Sequence, residues 1–250
     1  MKVIFIFAHY DDEFPVINML STLIDKASVH FIYVTTDQQH MGKRREENET
    51  VLSALGYSKK NIHHMSDYGL VVPDGELYEC ILPLRTILNS EFFLEESVVF
   101  TSAFEWGHQD HDALALLLHG MYRDNLISAL YYIPTYSPIP NPFKFPIFDV
   151  MSYPGPGVEI IRRRLTLLGA LSNIMAIMKY KSQFRTWLGL LPIYIIKILI
   201  RRYEVYYSPE KQGLPRNLSD ISEALFVTRR KICGPEIRSY IEKLELLCKD

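Results

Sequence analysis

Val3–Ala8 is an almost unbroken apolar run, the pattern of a strand covered on both faces. Pro15–Ala27 then shows helical periodicity, and Val29–Thr35 reads as a second strand. Arg44–Leu55 predicts a helix that Gly56 ends as its C-terminal cap. Asn61–Met65 is a weaker strand, Glu76–Leu88 a helix despite Pro83, and Ser97–Ala103 a clear strand. Asp112–Tyr122 is helical and Ala129–Tyr132 is another strand. Strands that alternate with helices predict βαβ units, hence an α/β fold around a mainly parallel sheet.

Beyond about residue 135 the pattern changes. Pro134, Pro138, Pro140, Pro142 and Pro146 punctuate an aromatic-rich loop, and Pro154-Gly155-Pro156-Gly157 makes a second break. Helical stretches follow at Leu165–Tyr180 and Thr186–Arg202, before a mixed C-terminal segment. There is no internal repeat and no low-complexity tract. The expectation is one domain over 1–250, with a core over about 1–135 and a proline-rich, helical elaboration over about 136–250.

Composition narrows the class only a little. The 250 residues suffice for a proper buried core, and 48% hydrophobic with 22% charged residues is ordinary for a globular protein. A formal charge of -2 lacks the electrostatic footprint of a nucleic-acid binder. Cys80, Cys233 and Cys248 have no paired spacing, which argues against a disulfide framework or a thiolate zinc site. The opening apolar run is too short for a signal peptide, and no run reaches the ~18 residues of a membrane span. A cytoplasmic location is expected.

The chemistry gathers in two motifs that each follow a strand. Ala8-His9-Tyr10-Asp11-Asp12-Glu13 ends the first strand, and Gly107-His108-Gln109-Asp110-His111 follows Ser97–Ala103. In open parallel sheets, ligands bind beyond the carboxyl ends of the strands, at a topological switch point, so two distant loops can converge there. Imidazole and carboxylate without thiolate suit zinc or a similar divalent ion. A catalytic zinc keeps about three protein ligands, lowers the pKa of water towards ~7, and leaves a neighbouring carboxylate to take the proton. Each motif alone also fits a helix cap or ordinary polar residues at a helix start; together, at equivalent strand ends, they favour a site.

The pair resembles the PIG-L/LmbE family of zinc-dependent N-deacetylases, whose motifs are Ala-His-Pro-Asp-Asp-Glu and His-Pro-Asp-His. Arg44-x-x-Glu47 with Leu55-Gly56, the lead-in Glu105-Trp106-Gly107, and Lys179-Tyr180-Lys181-Ser182-Gln183 are also similar to family elements, so the resemblance spans about 3–183. It implies a Rossmann-like sheet flanked by helices and removal of an N-acetyl group from an N-acetylhexosamine such as N-acetylglucosamine, releasing acetate. It implies that His9, Asp12 and His111 bind the zinc (or a similar divalent metal) and that Asp11 is the general base on its water. His108 would stabilise the tetrahedral intermediate, and Asp110 would orient a neighbouring histidine. Glu13 would support the loop, and Arg44 would face the substrate, unless it forms a helix-surface pair with Glu47. Two departures stand out: Tyr10 and Gln109 replace the family's prolines, which loosens the expectation for loop geometry. Asp37 stands where many relatives carry glycine.

Two other function classes compete. A carbohydrate-binding relative without turnover would show a lost ligand or base, and none is lost. A nucleotide-binding domain would want a glycine-rich turn after the first strand, where this chain has His9-Tyr10-Asp11-Asp12. Finally, Trp187–Ile200 is nearly all apolar apart from Pro192 and Lys197, with Lys179, Lys181, Arg185, Arg201 and Arg202 around it. One expectation is peripheral contact of 187–202 with the inner face of a membrane or with a lipid-linked amino sugar. The other is a buried helix with basic ends in solvent. A nucleotide- or small-molecule-linked sugar is equally open.

Overall fold

A computed structural model describes residues 1–36, 42–104, 108–138, 148–150 and 159–210, with backbone only at 136–138, 148–150 and 185–189. Asp37, the Glu105–Gly107 lead-in, most of the proline-rich loop, the Pro154–Gly157 break and the segment after 210 lie outside the described residues. So do the side chains of Arg185 and Trp187.

The first half builds β1 (Lys2–Phe7), α1 (Ile17–Leu23), β2 (Ser28–Tyr33), α2 (Lys43–Ala54), β3 (Ile62–His64), α3 (Ile81–Phe92), β4 (Ser97–Ser102), α4 (Gln109–Arg123) and β5 (Ala129–Ile133). Short β6 (Tyr136–Pro138) and β7 (Phe148–Val150) pair antiparallel in a separate ribbon. Then come β8 (Ile160–Arg164), α5 (Leu167–Ile177), α6 (Phe184–Arg201) and β9 (Tyr203–Tyr207). The main sheet runs β3-β2-β1-β4-β5-β9-β8, parallel from β3 through β5.

The continuous apolar reading of β1 has a direct cause in packing. Ile4, Ile6 and Ala8 face a core shared with Leu84 and Leu88 of α3 and Leu114 and Leu117 of α4. Val3, Phe5 and Phe7 face the other way, onto Leu20 of α1 and Val51 and Leu52 of α2. Alternate residues are thus buried on both sides of the sheet, so no polar alternation survives in the sequence.

The helix boundaries follow local chemistry. Gly56 ends α2 at φ 98°, with Gly56 N–H donating to Ser53 and Tyr57 N–H to Leu52. A Cβ there would meet the tip of the Ile24 side chain, Cδ1, at 2.5 Å and push it aside, while the positive φ is what requires glycine. Pro83 is tolerated because it lies in the first turn of α3, where a backbone N–H has no helical acceptor. Phe14–Val16 is a single 3-10 turn, so the helix read from Pro15 begins as α-helix only at Ile17.

The elaboration after 159 differs from its expected helical character. Its two helices are present, but β8 and β9 extend the main sheet with antiparallel strands. The arginine run Arg162-Arg163-Arg164 hides β8, because at a sheet edge the outward positions face water. Arg163 instead reaches the buried carboxyl of Glu204 on β9, at 3.3 Å. A third apolar cluster joins Phe14 and Leu165 to Ala170 and Ile177 of α5 and to Leu190, Tyr194 and Ile198 of α6. That inner face supports the buried-helix expectation for this part of 187–202. No described helix is long and apolar enough to cross a membrane.

Candidate functional site

The strand order reverses between β1 and β4, because the chain passes from β1 outward to β2 and β3 and then returns to β4 and β5. The carboxyl ends of those two neighbours feed the two motifs into one crevice. His9 to Phe14 fold as consecutive turns, with Asp12 N–H donating to the His9 carbonyl and Phe14 N–H to that of Asp11. Asp12 Oδ2 accepts the His9 backbone N–H at 2.8 Å, which fixes the carboxylate over the strand end.

Across the crevice, His108 is the N-cap of α4, and its Nδ1 accepts the Asp110 N–H at 3.2 Å. The helix therefore starts at Gln109, earlier than its apolar periodicity indicates, because its first turn is polar although buried. An accepting Nδ1 assigns the proton to Nε2, so His108 presents a donor. Burial, with the charge of His9 behind it, pushes the imidazole down to about 3, so that donor is neutral.

Three candidate ligand atoms converge. His9 Nδ1 lies 3.1 Å from His111 Nε2 and 3.6 Å from Asp12 Oδ2, and His111 Nε2 lies 2.9 Å from Asp12 Oδ1. Ligands bound at ~2.0–2.1 Å to a tetrahedral ion stand ~3.3–3.4 Å apart, so the donor set and its spacing fit a zinc-like cation. All three residues are buried, at 3–7% exposure.

The tautomer of His9 is fixed from behind. Its Nε2 lies 3.2 Å from Asp110 Oδ2, which leaves the Nδ1 lone pair for a metal. Asp110 is itself held by N–H groups of the next turn, from Gly75 to Oδ2 at 2.6 Å and from Leu77 to Oδ1 at 3.1 Å. Burial works against its charge, but His9, His108 and those N–H groups keep its carboxyl below the usual carboxylate range.

Asp11 is half-buried and raised above the ordinary carboxylate range by burial and by the neighbouring charge of Asp12. It sits in the opposing field of Arg44, His9 and His111. Arg44, half-buried at the start of α2, acts on both Asp11 and Asp74. Glu47 accepts the N–H and hydroxyl of Ser182, so the Ser-Gln element docks against the α2 side of the site. Glu13 is fully buried and receives Tyr33 Oη at 3.2 Å, Asn48 Nδ2 at 3.0 Å and the hydroxyl of Tyr180.

The two departures from the resembled pattern have partners of their own. Gln109 lacks the ring rigidity of proline, but its side-chain amide donates to the Gly75 carbonyl. Tyr10 is buried, stacks on Tyr33 at 5.3 Å, and its carbonyl accepts Asn48 Nδ2 at 2.9 Å. Packing and hydrogen bonds thus hold both loops where proline would have held them by its ring.

One residue escapes the sequence reading. Asp74 Oδ1 lies 3.3 Å from His9 Nε2 and 3.7 Å from His108 Nε2, with its side chain 43% exposed at the rim. Together with His108 and Asp110 it forms a second set of possible ligands around His9. Pro73-Asp74-Gly75 reads as an ordinary turn, and its tertiary bonds to Asp110, Gln109 and the Thr36 strand end bring it here.

No protein-family model matches the chain, and no curated protein matches it. Solved structures do. The A40926 pseudoaglycone deacetylase Dbv21 is 15% identical, over 85% of this chain and 98% of that one, with a TM-score of 0.60. The N,N'-diacetylchitobiose deacetylase from Pyrococcus horikoshii, complexed with its inhibitor MPG, is 21% identical over 84% of each chain, with a TM-score of 0.56. The zinc-inhibited form of teicoplanin deacetylase Orf2 is 14% identical, over 83% of this chain and 97% of that one, with a TM-score of 0.57. At these identities the likeness is one of fold: the chain has the α/β fold of these deacetylases.

Proposed function

We propose that this protein is a metal-dependent hydrolase that removes the N-acetyl group of an N-acetylhexosamine-containing substrate and releases acetate. The observation that carries the reading is the convergence of His9 Nδ1, Asp12 and His111 Nε2, with Asp11 and His108 beside them, at the switch point of the sheet. The shared fold adds support, since the similar structures include an N,N'-diacetylchitobiose deacetylase, a teicoplanin deacetylase and an A40926 pseudoaglycone deacetylase.

In this proposal His9, Asp12 and His111 hold a zinc-like ion. When bound, the ion polarises the acetamide carbonyl and lowers the pKa of water. Asp11 takes the water's proton and carries it to the leaving amine. His108 donates its Nε2–H to the oxyanion that forms as the carbonyl becomes tetrahedral. Asp110 keeps His9 turned with Nδ1 forward. Arg44 and Asp74, at the mouth, hydrogen-bond the hydroxyls of the sugar ring. The linked group, whether nucleotide, lipid or small molecule, extends past that rim.

The reading is tested by acetate release from a panel of N-acetylhexosamine conjugates, with and without a chelator. Release of acetate with an equal amount of free amine, stopped by chelation and restored by zinc, is expected. Saturable sugar binding with zinc present and no acetate from any conjugate would make the protein a binding relative of the same fold.

A further inference from the structure

The outer face of α5 is built against the usual rule for a surface helix. Leu167, Leu168, Leu171, Met175 and Met178 are 41–78% exposed. At ~100° per residue these positions fall within about 100° of arc. The opposite arc, with Gly169, Ala170, Asn173, Ala176 and Ile177, is the buried one. The helix is therefore apolar on the side that packs and again on the side that does not, with exposed Ser172 at the margin of the outer stripe. Such a contiguous apolar surface marks an interaction site, and exposed methionines adapt to a disordered partner better than a fixed jigsaw surface does.

Charge selects the partner. Between Ile160 and Tyr203 the chain carries nine Lys or Arg and no Asp or Glu, although its formal charge as a whole is -2. Arg162, Arg164, Lys179, Lys181, Arg201 and Arg202 among them are exposed, and Lys179 and Lys181 directly follow the Met175–Met178 end of the stripe. A second copy meeting this face in a twofold contact would set like charges against each other. A nucleic acid would satisfy the charge but not the leucines and methionines.

We propose that the outer face of α5, rather than α6, docks the protein on an anionic phospholipid surface. Leu168, Leu171, Met175 and Met178 enter the acyl boundary while the flanking lysines and arginines meet the lipid phosphates. The docked helix is tied to the site: Tyr180, just past α5, gives its hydroxyl to Glu13, and Ser182 binds Glu47. The surface therefore fixes how the crevice faces the bilayer. This inference does not depend on the deacetylase reading, because vesicle binding is read without substrate.

The full chain is sedimented with vesicles of phosphatidylcholine alone and of phosphatidylcholine mixed with phosphatidylglycerol. Preferential binding to the mixed vesicles, weakened by salt, is expected. Leu168→Gln/Met175→Gln should lower the partition coefficient roughly a hundredfold, and Lys179→Gln/Lys181→Gln roughly thirtyfold, on the mixed vesicles only. All four positions are exposed, and an unchanged melting curve confirms that each variant is folded. No binding to the mixed vesicles at low salt, or equal binding by Leu168→Gln/Met175→Gln, overturns the proposal. So does a wild-type dimer in analytical ultracentrifugation that the same variant turns into monomer, which would make the stripe a subunit interface.

Discussion

Two buried carboxyl groups, next to each other in sequence, sit in opposite electrostatic worlds. Asp12 points into the crevice, where burial alone would raise its pKa but the imidazoles of His111 and His9 hold it far below the usual range. Glu13 points behind the same loop, among Tyr33, Asn48 and Tyr180, and burial pushes it up to about 8. Both residues are almost fully out of water. The difference lies in the neighbours: groups that carry or accept positive charge face Asp12, whereas neutral hydroxyl and amide donors face Glu13. One side of the loop is therefore arranged for a cation and its chemistry, the other for holding the loop's shape.

The sharpest break of this contrast is on the crevice side. His9→Ala and His111→Ala are each expected to weaken zinc binding by more than ~10²-fold, since even outer-shell partners of a metal cost ~10–10². Titration of the metal-free protein with zinc checks this. His108→Ala should keep the ion and lower turnover by ~10²–10³, the usual effect of removing one oxyanion donor; steady-state acetate release with parallel metal analysis separates the two.

A third carboxyl sharpens the comparison from outside the site. Glu204 accepts from Asn18 N–H, Asn173 and Arg163, yet burial still pushes it up to about 7 from the ordinary 4.5. A folded-state pKa above the unfolded one means that the folded protein holds an extra proton between these values. The stabilisation is complete below about 4.5 and is lost as pH rises to about 7, a change of about 3 kcal/mol. Glu204→Gln should flatten that part of the stability profile, measured by urea unfolding across the window. On the shape-holding side, Tyr180→Phe removes a buried donor to Glu13 and should cost about 1–2 kcal/mol, read from urea unfolding, with the zinc affinity unchanged.

Much of this was legible in the chain itself. The apolar runs at Val3–Ala8 and Ser97–Ala103 are strands buried on both faces, and motifs placed directly after them had to meet at one end of the sheet. His9, Asp11, Asp12, His108, Asp110 and His111 are all brought together, as is Arg44 at the rim. Asp74 was not legible, because its place depends on tertiary bonds from its turn to Asp110 and Gln109 rather than on any local pattern. Strands β8 and β9 escaped for a similar reason: an arginine-rich edge carries no core alternation. The stripe on α5 was hidden by its own uniformity, since apolar residues on both faces look alike until packing distinguishes them.

Under the proposed function, neighbouring aspartates divide the work, with Asp12 holding the ion and Asp11 moving the proton. Zinc content and acetate release measured side by side for Asp11→Asn and Asp12→Asn test it most directly. Asp12→Asn is expected to lose both, whereas Asp11→Asn is expected to bind zinc like the wild type and lose most of its turnover, because an amide cannot accept the water's proton. Near-normal acetate release by zinc-loaded Asp11→Asn, or full zinc occupancy in Asp12→Asn, would contradict it.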